Sequence, residues 1–419
     1  MTAENGKTIS EKILSTKSRS DAYAGDIVEA EIDYVMVNDV TGPLAFREFE
    51  ALGCEPMRDK IVLVPDHFVP NKDVASAEQA AEMRRFAKRW KIKNYFEIGR
   101  GGVCHQVMVD EGFAAPGRLI VGADSHTCTY GALNAFATGI GSTEAAACFA
   151  EGKLWFRVPE SIKVELNGKM PRYVMGKDLI IKLITEIGVD GANYQTLEFC
   201  GKGLSFFALS DRLTVSNMAI EAGGKAGVFP SDSETAHFMR SHARGKYSPV
   251  KADAGAEYSQ ELDYDLTELE PMVAMPHLPG NGKPVSEVDV EIDQAYLGSC
   301  TNGRIEDLRV AAEVMAGRKV ADSVRMIVVP ASSSIYRQAN KEGLLDKFVE
   351  AGAFVSGPTC GACLGGHMGV LAEGERCVST TNRNFVGRMG HKGSEVYLAS
   401  PAVVAASAVA GRIVAPEVG

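Results

Sequence analysis

Four short runs of apolar residues, each closing on a polar tail, constrain what this chain can fold into. They are "KIVLVPDH" (Lys60–His67), "RLIVGADSHT" (Arg118–Thr127), "AYLGSCTNGR" (Ala295–Arg304) and "RMIVVPASSS" (Arg325–Ser334). An apolar run without alternation is the pattern of a strand buried on both faces. Between such runs lie stretches of helical periodicity. "SAEQAAEMRRFAKRW" (Ser76–Trp90) reads as an amphipathic helix with Ser76 as its cap. Strands and helices in alternation predict α/β layers with mostly parallel sheets. In these sheets functional groups gather beyond the carboxyl ends of the strands. Asp66, His67, Asp124, Ser125, His126 and Cys300 all fall there.

A chain of 419 residues has room for two or three domains. Near residue 160, "RVPESIKVELNGK" begins a new strand-like segment, and "PMVAMPHLPGNGKPVSEV", spanning residues 271–288, reads as a proline- and glycine-rich linker. The expected units are therefore 1–160, 161–286 and 287–419. With 44 basic and 54 acidic side chains the net charge is −10, which argues against nucleic-acid binding. No apolar run approaches the roughly 18 residues a membrane span needs. The first residues lack a signal peptide's apolar centre, so a cytoplasmic location is expected. In that compartment the nine cysteines are not expected to form disulfides. Cys54, Cys104, Cys128, Cys148, Cys200 and Cys377 are scattered and read as small core residues.

Cys300, Cys360 and Cys363 differ, because they stand in glycine-rich, turn-like surroundings, the last two in "GPTCGACLGG". One C-x-x-C with a distant third cysteine suits two chemistries. With His367 as a fourth ligand it would make a Cys3His zinc site. Without it, three thiolates would hold an iron–sulfur cluster with one iron open, a Lewis acid. Spacing alone leaves both open. Among the histidines, His67 and His126 follow an acid by one or two residues at a strand end. A carboxylate fixes an imidazole's tautomer and raises its basicity, which suits proton transfer. Asn217 and Glu221 in "SNMAIEAGG" are four apart, on one face of any helix there. Arg383 and Arg388 in "TTNRNFVGRMG" flank a glycine-bearing turn, where guanidinium groups grip carboxylates.

In order along nearly the whole chain stand "VNDVTGP", "VPDH", "CHQV", "GADSHT", "NMAIEAG", "GSCTNGR", "GPTCGACLGG" and "NRNFVGR". Together they resemble the aconitase superfamily, and within it the large subunits of two-subunit hydro-lyases of the 3-isopropylmalate dehydratase, homoaconitase and 2,3-dimethylmalate dehydratase type. The resemblance implies three α/β/α units around a central cluster site, without the swivel domain of single-chain aconitases. It implies that Cys300, Cys360 and Cys363 ligate a 4Fe–4S cluster, with His367 not a ligand. Asp66 and His67 would protonate a departing hydroxyl, Asp124 would pair with His105, and Glu221 with His126. Asn38, Ser125 and Asn217 would line the pocket, while Asn382, Arg383 and Arg388 would bind cluster sulfur or substrate carboxylate. The implied reaction is reversible dehydration of a 2-hydroxy di- or tricarboxylic acid, 3-isopropylmalate first among them. A separate small subunit, carrying a serine base and a further arginine, is the expected partner.

Two other classes compete with this reading. A zinc-stabilised binding module would use the cysteines as a staple. A dinucleotide enzyme is prompted by "GIGSTEA" (Gly139–Ala145), an incomplete glycine motif that follows no clear strand in the sequence pattern.

Overall fold

A computed structural model describes residues 6–417. The first unit contains β1 (Ile27–Glu31), β2 (Tyr34–Asn38), β3 (Ile61–Val64), β4 (Leu119–Gly122), β5 (Phe136–Gly139) and β6 (Lys153–Arg157). Its main sheet has the order β3-β2-β4-β5 and every pair is parallel; β1 and β6 form a separate antiparallel ribbon. All residues of β3 and β4 are buried, as their unalternating apolar sequences require of strands covered on both faces.

The second unit holds β7 (Ser161–Asn167), β8 (Thr196–Cys200), β9 (Ala226–Val228) and β10 (Gln260–Asp265), in the parallel order β10-β7-β8-β9. The third holds β11 (Met272–Ala274), β12 (Gly282–Pro284), β13 (Gln294–Gly298), β14 (Arg325–Val329), β15 (Phe354–Val355), β16 (Arg376–Ser379) and β17 (Glu395–Ala399). Its order is β12-β11-β17-β16-β13-β14-β15. The stretch expected to be a linker is thus a hairpin: β11 pairs antiparallel with both β12 and β17 and extends the third sheet. Prolines at strand ends and edges are compatible with pairing, which the composition alone does not reveal.

Two apolar cores cover the faces of the first sheet. A third is shared by the second sheet, the helix Gly176–Ile187 and one face of the third sheet; a fourth fills the opposite face of the third sheet. The first and second units are also stapled by Asn134, which ends the turn Ser125–Leu133 with φ +63°. Its amide donates to Phe229 O (2.9 Å) and Val250 O (3.0 Å), and its oxygen accepts from Val250 N (2.8 Å). Beside it the backbones touch so closely that a Cβ on Gly131 would lie 1.9 Å from the Gly227 carbonyl oxygen.

Several local expectations change. The helix after β3 runs Val74–Trp90 and is capped by Asp73, not Ser76. Ser76 N donates to Asp73 Oδ1 (2.8 Å) and Asp73 N donates to Ser76 Oγ (3.2 Å), so Ser76 closes a reciprocal box from inside the helix. The "GIGSTEA" segment does follow a strand, β5, and opens the helix Ser142–Glu151. There Gly141 N donates to the Glu144 carboxylate (2.8 Å), so an acid occupies the place a phosphate would take. Of the cysteines read as core, Cys54 is exposed and Cys200 half-buried; the other four are buried.

Candidate active site

Three of the four parallel strands of the first sheet, β2, β3 and β4, deliver polar residues at their carboxyl ends, and these come together. After β3, Asp66 Oδ1 lies 2.6 Å from His67 Nδ1 and Asp66 Oδ2 accepts from Cys104 N (2.7 Å). The loop that carries them is held by Asp39, which follows β2. Its fully buried carboxylate accepts three successive backbone N–H groups, from Asp66 (2.9 Å), His67 (2.9 Å) and Phe68 (2.8 Å). Burial alone would lower the affinity of His67 for a proton. The carboxylates of Asp66, Asp124 and Asp39 outweigh it and raise the pKa to about 10. His67 Nδ1 faces Asp66, while Nε2 lies 3.8 Å from Asp124 Oδ2.

Asp124, after β4, is the hub of a second network. Oδ1 accepts from His105 Nε2 (3.0 Å) and from His126 N (2.9 Å), and Oδ2 accepts from Asn38 Nδ2 (3.3 Å). Burial would raise this carboxyl, but the charges and hydrogen bonds of His105 and His126 hold it well below the usual range. His105 Nδ1 is occupied by the Tyr130 hydroxyl (2.9 Å), which fixes the ring. His126 Nε2 lies 2.9 Å from Glu221 Oε1, and that oxygen also accepts from Arg383 Nε (2.8 Å). Burial lowers the pKa of His126, but its bonds to Asp124 and Glu221 prevail and leave it raised. Ser125 Oγ is 3.4 Å from His126 Nδ1.

The helix expected to align Asn217 with Glu221 ends at Met218, and a 3-10 turn, Ala219–Ala222, carries Glu221 onward. Both side chains still reach the site. Asn217 Nδ2 donates to Thr129 Oγ1 (2.8 Å), and its oxygen accepts from Thr301 Oγ1 and Asn382 Nδ2, both at 3.1 Å.

The third sheet brings the sulfurs. Cys300 follows β13, Cys360 and Cys363 follow β15, and they are 6%, 7% and 2% exposed. Asn382, after β16, joins them: its amide donates to Cys300 Sγ (3.2 Å) and its oxygen faces Cys363 Sγ (3.9 Å). The neighbouring Cys360 and Cys363 push each other's thiols apart, lowering Cys363 and raising Cys360, and burial pushes Cys300 up. Arg388 adds its charge beside Cys363. The glycines answer to geometry. Gly361 has φ +60°, and a Cβ there would lie 2.4 Å from the Tyr296 hydroxyl. Arg304 fixes the Cys300 loop, donating to the carbonyls of Cys300 (3.0 Å) and Thr301 (2.6 Å) and to Gln106 Oε1 (3.0 Å).

Sulfur and imidazole share one space. Cys300 Sγ and a ring nitrogen of His105 and of His126 lie within 4.8 Å of one another, as do Cys360 Sγ, His67 and Asp66. His367 is elsewhere: its Nε2 donates to Pro70 O (2.8 Å). Asp39, Tyr130, Thr129, Thr301 and Arg304 are the site residues that sequence reading missed. Asp39, adjoining Asn38 in "VNDVTGP", and Thr301 and Arg304, within "GSCTNGR", stood in quoted motifs; Thr129 and Tyr130 did not.

A model of the aconitase family (aconitate hydratase) matches residues 11–289 and 285–411. Among curated proteins, the chain is 54% identical over 414 residues to the 3-isopropylmalate dehydratase large subunit of Clostridium kluyveri, covering 98% of this chain and 99% of that one. It is also 54% identical over 416 residues to the protein of that name from Moorella thermoacetica, with the same coverage. Among solved structures, Thermococcus kodakaraensis aconitase X (holo-form) aligns at TM-score 0.50 and 11% identity, over 89% of this chain and 92% of that one, a likeness of fold. The family match implies an iron–sulfur cluster. The residues fit one: Cys300, Cys360 and Cys363 are buried and free, Asn382 reaches two of their sulfurs, His367 bonds elsewhere, and Arg388 Nε is buried without a partner. By these matches, spanning nearly its full length, the chain belongs to the aconitase family.

Proposed function

We propose that this chain is the large subunit of a hydro-lyase that reversibly dehydrates 3-isopropylmalate. Cys300, Cys360 and Cys363 would hold a 4Fe–4S cluster. When bound, that cluster supplies Lewis acidity at an iron without a protein ligand. The remaining chemistry falls to side chains. His67, kept protonated by Asp66, would donate from Nε2 to the departing hydroxyl and recover the proton from water in the reverse direction. Hydroxide is a poor leaving group, so this proton is needed. Asp39 would aim the imidazole by fixing its backbone. Arg383, anchored to Glu221, and Arg388 would grip carboxylate, and Asn38, Ser125, Asn217 and Asn382 would shape the pocket. Asp124 and Glu221 would set the tautomers and charge of His105 and His126.

The base that takes the carbon-bound proton would come from a small subunit with a swivel domain, carrying a serine and a further arginine. The relatives' designation as large subunits supports a small-subunit partner. Val40, Phe385 and Val386, adjoining site residues in sequence, are exposed apolar groups suited to its docking. The observations that support the proposal are Cys300 beside His105 and His126, Cys360 beside Asp66 and His67, and Asn382 reaching both Cys300 and Cys363. The test is co-expression with the small subunit, anaerobic reconstitution and assay on a panel of substituted malates. Dehydration of 3-isopropylmalate ahead of the others is expected. Zinc in place of iron and sulfide, or no turnover of any malate, would refute it.

A further inference from the structure

Lys177 lies in the first turn of the helix Gly176–Ile187, inside the core shared by the second and third sheets, and is fully buried. Its Nζ donates to the carbonyls of Thr380 (2.8 Å) and Thr381 (2.6 Å). Among the described residues no carboxylate lies within 4.0 Å of it. A buried ammonium lacking a contacting counter-ion is strongly unfavourable unless charge of opposite sign stands close by. Burial draws this amine down to about 7. The groups that oppose the fall most are Cys300 and Cys363, ahead of Asp307 and Asp178. The two carbonyls it grips belong to the turn that presents Asn382, whose side chain lies between those same sulfurs. Thr380 is itself tied to the Cys300 loop, accepting from Gly298 N and donating to Gly298 O, both at 2.9 Å.

We infer that Lys177 is a positioning residue that supplies a buried positive counter-charge to the thiolates of Cys300 and Cys363, securing the bound cluster and raising its reduction potential. This inference rests on the iron–sulfur reading above. The proposal concerns charge, so two neutral replacements test it in the full chain. Lys177→Met removes both donor and charge; Lys177→Gln keeps an amide donor for the carbonyls.

Wild type and both variants are loaded anaerobically with ferrous iron and sulfide. The midpoint potential is read by electron paramagnetic resonance titration, iron loss is followed against a ferrous chelator, and Tm is measured on the iron-free chains. Both variants should show a lower potential and lose iron about 10- to 100-fold faster, the range for residues that support metal ligands. Unchanged potential and iron loss in both, or wild-type behaviour in Lys177→Gln, overturns the inference. Should Lys177→Met fail to fold by its iron-free Tm, Lys177→Gln carries the test. A wild-type chain that takes up neither iron nor sulfide would instead overturn the cluster reading itself.

Discussion

Asp39→Ala is the most informative single perturbation of the loop that carries His67. The carboxylate accepts three N–H groups, one buried and two part-buried, and alanine strands all three. Hydrogen bonds to a charged group contribute about 1.5–3 kcal/mol each, and an unsatisfied buried donor costs about 1–3 kcal/mol. The lower half applies, because the His67 side chain is 15% exposed and water reaches that end of the loop. A loss of about 4 kcal/mol follows from these ranges. Unfolding entropy is about 2.1 cal/mol/K per residue. For a chain of 419 residues unfolding as one unit, about 0.9 kcal/mol therefore moves Tm by about 1 °C. Asp39→Ala should thus lower Tm by about 4–5 °C. Asp39→Asn still accepts from Asp66 and His67 but turns an NH2 against the Phe68 N–H, and should lose about half as much. The assay is calorimetry of the iron-free chain, paired with turnover of the reconstituted complex, which should fall in both variants. A shift below about 1 °C for alanine, or a larger shift for asparagine than for alanine, would refute the reasoning.

Other outcomes follow from the same geometry. The raised His67 pKa of about 10 stabilises the fold fully below its ordinary value of 6.5, and that contribution is lost as pH rises through about 10. Tm against pH should show this alkaline loss, and His67→Gln should flatten it. Glu221→Gln removes the carboxylate shared by His126 and Arg383 and should lower kcat/KM of the complex by about 10²- to 10⁴-fold, the worth of a positioned acid–base group. Steady-state kinetics showing a loss under about tenfold would contradict that role. Asn134→Ala should lower Tm by about 3 °C, since it deletes three hydrogen bonds between units and leaves alanine at φ +63°.

Much of this was legible in the residues themselves. The apolar runs before Asp66, Asp124 and Cys300 announced buried parallel strands, and strand ends are where such sheets place chemistry. The pairing of Asp66 with His67 was local enough to read. Pairings such as Glu221 with His126, 95 positions apart, came only through family resemblance, because no periodicity links distant segments. Other features escaped for identifiable reasons. Asp39 acts through backbone amides of a loop 27 residues on, and Arg304 through carbonyls; neither leaves a mark in side-chain patterning. The hairpin of β11 and β12 hid behind prolines and glycines that elsewhere signal a connector. Asp73 displaced Ser76 as cap because helix boundaries depend on which of two nearby polar residues adopts extended backbone.

The four apolar cores contain none of Cys300, Cys360 or Cys363. In small zinc domains the metal is the core, and stripping it unravels the polypeptide. Here the apolar packing is built from residues other than the proposed sulfur ligands. Cys300→Ser should therefore abolish iron uptake, measured colorimetrically, while moving the Tm of the iron-free chain by less than about 2 °C. A chain stripped of iron and sulfide is then expected to keep its fold, so that reloading alone restores it.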